Sequence, residues 1–233
     1  MARISRIVAV GYPHHITQRG VRSIDIFKSD RDRNAYLQFI KEETERCGIA
    51  LLSWCLMTNH VHFIAVPQDE SSLARGFGEA HKRYTRMKNF GEGVRGYLFQ
   101  GRFGSCVLDE RHLLSAVRYV ENNPVAAGIV KHAWDYPWSS AAYHVGNIED
   151  DILVKDRSLY GLVEDWRLYL DEKKEDDFNP IRKATRTGRP AGDNDFTLAM
   201  EARTGRLLRR AKPGRKKSYS GDTTPISREA ELN

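Results

Sequence analysis

Two apolar runs, Ile49 to Leu56 and Val61 to Val66, stand on either side of Thr58-Asn59. Each has the length of a strand and the break between them has the length of a tight turn. The pair reads as a β-hairpin whose second strand stops at Pro67. A hairpin commits the chain to an antiparallel sheet, and the remaining amphipathic segments must cover that sheet. His60 and His62 fall at the start of the second strand. Alternate residues of a strand share a face, so the two imidazoles stand side by side. Such a pair suits two ligands of a divalent metal, and it equally suits two partly buried, hydrogen-bonded histidines beside a turn.

The flanking segments set the fold class. Ile4 to Val10 is β-branched and apolar enough for a strand. It leads into Gly11-Tyr12-Pro13-His14-His15-Ile16-Thr17-Gln18-Arg19-Gly20, where an extended chain displays His15, Thr17 and Arg19 on one face. Ser29 caps a helix carrying Tyr36, Phe39, Ile40 and Cys47 on one side and ending at Gly48. Leu73, Phe77, Ala80, Tyr84 and Met87 give a helical period from Ser71 or Ser72 to about Asn89. The rest of that helix is basic (Arg75, Lys82, Arg83, Arg86, Lys88), which fits a solvated face or a nucleic-acid contact. Tyr97 to Phe103 interleaves aromatic and basic side chains, either as a stacking platform for single-stranded bases or as a loop packed on the core.

A short strand over Ser105 to Leu108 precedes a helix that runs from Asp109 or Glu110 to Asn122 or Asn123. Leu113, Ala116, Val117 and Val120 are its apolar stripe, and Pro124 stops it. Tyr119 and Asn123 are four residues apart and share a side of this helix. Strand, helix, strand, strand, helix, strand, helix predicts an α+β chain. The expected form is a ferredoxin-like two-layer sandwich, an antiparallel sheet with helices on one face and the His60/His62 strand central.

The chain of 233 residues carries 37 Lys and Arg against 31 Asp and Glu, a net charge of +6. That favours a polyanionic partner, nucleic acid or an anionic membrane surface. No run of 18 apolar residues exists to span a bilayer, and the N-terminal apolar stretch is too short for a signal peptide. Cys47, Cys55 and Cys106 have no metal-ligand spacing and read as reduced thiols, so the expected location is cytoplasmic. The main domain is expected over residues 1–145, with a small helical addition and charged linker at 146–185. A basic extension follows at 186–217, with six positive side chains in the nine residues from Arg209 to Lys217, and 218–233 is expected to be disordered.

Three motifs in order carry a family resemblance. Asn59-His60-Val61-His62-Phe63 resembles the histidine–hydrophobic–histidine motif of the HUH endonucleases. Tyr119-Val120-Glu121-Asn122-Asn123-Pro124-Val125-Ala126-Ala127-Gly128-Ile129-Val130 resembles the tyrosine helix of single-tyrosine transposases, and Gly11 to Gly20 resembles their N-terminal strand. The subgroup the chain is most similar to is the REP-associated tyrosine transposases, over roughly residues 5 to 145. The basic segment from Gly205-Arg206 to Lys217 is similar to the C-terminal extension of one branch.

The resemblance implies the HUH fold, with His60, His62 and Asn123 as ligands of Mg²⁺ or Mn²⁺ and Tyr119 as nucleophile. Cleavage would pass through a 5′-phosphotyrosine link with a free 3′-OH. The implied partner is a single-stranded palindromic repeat folded as a hairpin beside a short recognition sequence. A monomer is implied, at the nucleoid in the cytoplasm and away from membranes. Thr17, Gln18 and Arg19 would help read DNA, joined by Arg206, Arg209, Arg210, Lys212, Arg215, Lys216 and Lys217 of the extension. Arg83 and Arg102 are further candidate DNA contacts. Ala126-Ala127 departs from the family pattern, in which an arginine is common after the proline and valine. Two rival readings are a DNA-binding protein without strand transfer and a metal-dependent nuclease that uses water. The first needs none of His60, His62, Tyr119 and Asn123 together, and the second needs a carboxylate base and tolerates Tyr119→Phe.

Overall fold

The computed structural model describes residues 6–155, 158–172 and 178–209. Strand β1 (His14–Arg19) is followed by a 3-10 turn (Val21–Ser23) and helix α1 (Asp30–Arg46). The hairpin β2 (Ile49–Met57) and β3 (His60–Pro67) leads to α2 (Ser72–Glu92), β4 (Gly104–Val107) and α3 (Glu110–Glu121). Short helices α4 (Asn123–Ala126), α5 (Ala141–His144) and α6 (Trp166–Asp171) come next, and α7 (Phe178–Thr187) and α8 (Asn194–Thr204) complete the order.

The strands lie in the order β2-β3-β1-β4, and every pairing is antiparallel. This is the ferredoxin-like arrangement, with the His60/His62 strand inside the sheet. The period of two divides β3 between two cores. Val61, Phe63 and Ala65 join Tyr36, Leu73, Phe77 and Tyr84 under α1 and α2. Ile64 points the other way, to Cys55, Ala116, Val117, Val120 and Ile181 under α3 and α7. The sheet with α1 and α2 is the expected two-layer core, and α3 with the C-terminal helices covers the second face, on which the histidines stand.

Local chemistry places these elements. Ser29 accepts from the amide of Asp32 at the start of α1, a cap worth about 1 kcal/mol. Gly93, at φ 65, ends α2 in the left-handed region that suits glycine. The buried ammonium of Lys88 on α2 reaches Asp32 of α1 at 2.9 Å and Glu92 at 2.8 Å. Arg83 pairs with Glu42 and Glu43, and Glu43 also holds Arg46. Two of the five basic residues read on α2, Arg83 and Lys88, are therefore spent on joining α2 to α1.

Two expectations are corrected. The first strand begins at His14, and residues 6–9 are outside any strand. Both edges of β1 are occupied, by β3 and β4, and a turn at Gly11 (φ 79) diverts the preceding chain. Ile7 and Ala9 are buried against Val107, Met200 and Leu208, so their apolar character serves packing under α8 rather than a ladder. The apolar residues Phe196, Met200 and Leu207 predict a last helix over Phe196 to Leu208; Met200 is buried and Phe196 partly buried, but Leu207 is 73 % exposed and Leu208 takes the buried place. The helix ends at Thr204, so the helical phase no longer governs which of the two leucines turns inward. In the Tyr97–Phe103 stretch, Phe99 and Phe103 are buried in the core and Tyr97 is exposed. Helix α7 runs through residue 185, where the helical addition and the basic extension were expected to meet.

Candidate active site

Register brings the polar side chains together. Across β1 and β3, Thr17 stands opposite His62 and Arg19 opposite His60. His15 is two residues before Thr17 and therefore shares their face. Helix α3 crosses this face and brings the half-buried Tyr119 over it. The Tyr119 ring lies 5.5 Å from that of His62 and 5.6 Å from that of His15, edge-on to both. Asn123, one turn further, donates Nδ2 to the Tyr119 carbonyl at 2.6 Å. Its amide oxygen is left for other partners, and its side chain also meets His60.

Hydrogen bonds fix the state of the imidazoles. His60 Nδ1 lies 2.6 Å from Asn59 Oδ1, an acceptor, so Nδ1 carries the proton and Nε2 offers a lone pair. His62 follows through a longer chain. Thr185 donates its hydroxyl to the Ile181 carbonyl at 2.8 Å and therefore accepts from His15 Nδ1 at 2.7 Å. His15 Nε2 is then the acceptor facing His62 Nδ1 at 2.9 Å, and His62 Nε2 is unprotonated. Burial lowers the His60 pKa to about 4, aided by the charge of Arg19 and opposed by the Asn123 hydrogen bond. Burial also brings His15 to about 3 and holds His62 well below its usual value, with His15, His60 and Arg19 adding to the effect on His62. Both His60 and His62 are neutral imidazoles at neutral pH.

The donor set fits a divalent cation that keeps open positions. Two neutral imidazole nitrogens and an amide oxygen are available, and each imidazole is oriented by a hydrogen bond through its other nitrogen, the usual support of metal-ligating histidines. Among the described residues, no group of three or more His, Cys, Asp or Glu side chains is placed to hold a metal ion. His15 is close but spends Nε2 on His62, and the third candidate, Asn123, is an amide.

These groups line one cleft of about 710 Å³. Thr17, Gln18, Arg19 and Arg102 line it as well. Gln18 donates its amide to the Gly101 carbonyl, which holds the loop before β4. Other expected DNA contacts lie elsewhere. Arg83 is in the α1–α2 ion pairs, Arg206 donates to the Arg6 carbonyl and Arg209 pairs with Glu201. Arg210, Lys212, Arg215, Lys216 and Lys217 lie outside the described residues.

Sequence reasoning did not name the helix that closes the cleft. Arg182, Thr185 and Arg186 of α7 line it, the Phe178 ring lies 5.4 Å from that of Tyr119, and the Arg182 guanidinium lies 5.4 Å over the Tyr119 ring. The available signal was a short apolar period, Phe178, Ile181 and Ala184, with Arg182 and Arg186 one turn apart.

Residues 11–123 match the family Transposase IS200 like. The matched segment starts just before β1 and ends at Asn123, so it holds the four strands with His60, His62, Tyr119 and Asn123 and leaves out α7. The match covers 113 of the 233 residues, just under half of the chain. Among solved structures, the chain is similar to a REP-associated tyrosine transposase bound to a REP hairpin, with 19 % identity, TM-score 0.48, and coverage of 68 % of this chain and 96 % of that one. It is also similar to a candidate transposase from Deinococcus radiodurans R1, with 16 % identity, TM-score 0.36, and coverage of 52 % and 97 %. No curated protein matches the chain.

Proposed function

We propose that this protein is a DNA nicking and strand-transfer enzyme in which Tyr119 is the nucleophile. The observation that carries the reading is the meeting of Tyr119, from α3, with the two neutral imidazoles of β3, within one chain and in one cleft. In the proposed reaction Tyr119 Oη bonds to the phosphorus of a phosphodiester and the bond to O3′ breaks. The phenol proton leaves to solvent and O3′ takes one up, giving a 5′-phosphotyrosine and a free 3′-OH. The number of phosphoester bonds is unchanged, so an incoming 3′-OH can reverse the step, which hydrolysis would not allow.

His60, His62 and Asn123 would hold Mg²⁺ or Mn²⁺, which when bound supplies Lewis-acid stabilisation of charge on the phosphate. The chain's own part is to keep both Nε2 lone pairs unprotonated and aimed, to place the phenol beside them, and to line the approach with Arg19 and Arg102. Thr17 and Gln18 sit on the same approach and are proposed to contact the strand. The substrate proposed is single-stranded DNA carrying a palindromic repeat folded as a hairpin, a reading supported by the sequence resemblance and the family match. Because a single chain supplies tyrosine and histidines together, the active form proposed is a monomer, acting at the nucleoid.

The test is a labelled single-stranded hairpin taken from repeats flanking the gene, incubated with Mn²⁺ or Mg²⁺ and run on denaturing gels. The expected result is a nick together with a protein–DNA adduct, both lost in Tyr119→Phe and in His60→Ala. Hairpin binding with neither nick nor adduct would replace this reading by a binding protein. Nicking that survives Tyr119→Phe would make water the nucleophile.

A further inference from the structure

Helix α7 lies outside the segment that matches the IS200-like family, yet one of its faces is built into the candidate site. Ile181 and Ala184 are buried, and Thr185 is held by His15 at 2.7 Å and by Cys106 Sγ at 3.3 Å. The helix therefore cannot rotate about its axis without breaking the chain of bonds behind His62. This anchoring fixes where Arg182 and Arg186 stand. Both are exposed and line the cleft, and among the described residues neither pairs with a carboxylate. Four residues of helix separate them by about 6 Å along the axis, on one side. Ala126 and Ala127 after Pro124 also line the cleft and contribute no charge.

We propose that α7 is a phosphate-binding wall of the cleft. Arg182 holds a nonbridging oxygen of the phosphate presented to Tyr119, and Arg186 holds a neighbouring phosphate of the same single strand. A planar guanidinium over the Tyr119 ring suits this, since it can form paired hydrogen bonds to phosphate oxygens while resting on the aromatic face. The inference rests on the reading of Tyr119 as the group to which the strand is delivered.

The experiment measures binding of a fluorescein-labelled single-stranded oligodeoxynucleotide by anisotropy in EDTA, without cleavage, over a range of salt concentration. Each phosphate contact contributes about 0.7 to the slope of log K against log salt for single strands. Arg182→Gln and Arg186→Gln are each expected to reduce the slope by about 0.7, and the double variant by about 1.4. Arg182→Lys should keep the slope. Arg31→Gln, at an exposed position of α1 outside the cleft, controls for net charge and should leave the slope unchanged. A double variant with the wild-type slope, or a wild-type protein that does not bind the oligonucleotide, overturns the proposal. Adduct formation by the wild-type protein with Mn²⁺ is scored separately. Reduced slopes without an adduct leave α7 as a phosphate wall and remove the tyrosine chemistry, whereas an adduct with unchanged slopes does the reverse.

Discussion

At the scale of single residues, the site depends on which nitrogen of each histidine carries a proton. Thr185, His15 and His62 form one directional chain that begins at the Ile181 carbonyl. Thr185→Val keeps the shape and removes the hydroxyl that accepts from His15. His15 is then free to take either tautomer, and Mn²⁺ affinity measured by calorimetry is expected to fall several-fold. His15→Leu removes the partner of His62 altogether and should cost about 10- to 100-fold, the usual effect of deleting such an outer hydrogen bond. Affinities equal to wild type in both variants would mean that packing alone orients His62. His15 was visible in the sequence on the face with Thr17 and Arg19. Its function was not, because the partner that decides its tautomer comes from Thr185, 170 residues away.

At the scale of elements, α1 and α2 are joined by buried charge as well as by the Tyr36, Phe77 and Tyr84 contacts. Burial opposes ionisation of Asp32, but hydrogen bonds from Lys88 and from the Lys28 and Ser29 region outweigh it and hold the carboxyl below its usual value. Lys88→Met leaves that carboxylate without its partner. The expected loss is about 3 kcal/mol in urea unfolding, since the pair is mostly shielded from solvent. A loss below about 1 kcal/mol would place it with exposed ion pairs. The sign of the pH dependence follows from the lowered pKa. The contribution is present above the unfolded carboxylate value and is lost as pH falls through the folded one. The acid side of the stability curve should therefore be steeper in wild type than in Asp32→Asn. A basic helix in sequence cannot announce this use, because Glu42 and Glu43, which take Arg83, and Asp32, which shares Lys88 with Glu92, sit on another helix.

At the scale of the whole molecule, the second face of the sheet is tied to α3 and α5 through a buried polar centre. Glu121 Oε1 accepts from Ser53 at 3.1 Å, Ser140 at 2.5 Å and His144 at 2.6 Å, joining β2, α3 and the α5 region. Burial works against the charged form of His144, but the Glu121 carboxylate prevails and its pKa is raised. A raised histidine value means that its stabilisation is full below 6.5 and is lost as pH rises through the folded value. Thermal melts from about pH 5 to about pH 9 should show a decline on the alkaline side. His144→Leu should lie lower throughout and lose that part of the decline. Parallel curves for the two proteins would show that His144 does not change charge over the range.

The sequence by itself determined the sheet, its hairpin and the identity of the candidate chemistry. Alternation of two, a helical period of 3.6 and a turn at Thr58-Asn59 are local properties, so β2, β3, α1, α2 and α3 could be read directly. His60, His62, Tyr119 and Asn123 sit in short motifs whose internal spacing already fixes which side chains share a face. Only the tertiary structure decided what those faces meet. The sheet order carried Ile7 and Ala9 to packing under α8 instead of to a ladder. The end of α8 at Thr204 let Leu208 turn inward in place of Leu207. The fold of the C-terminal segment laid α7 across Tyr119 and set Arg182 and Arg186 in the cleft. Such contacts join residues far apart in the chain, and their free energy depends on burial and on partners that no local pattern contains.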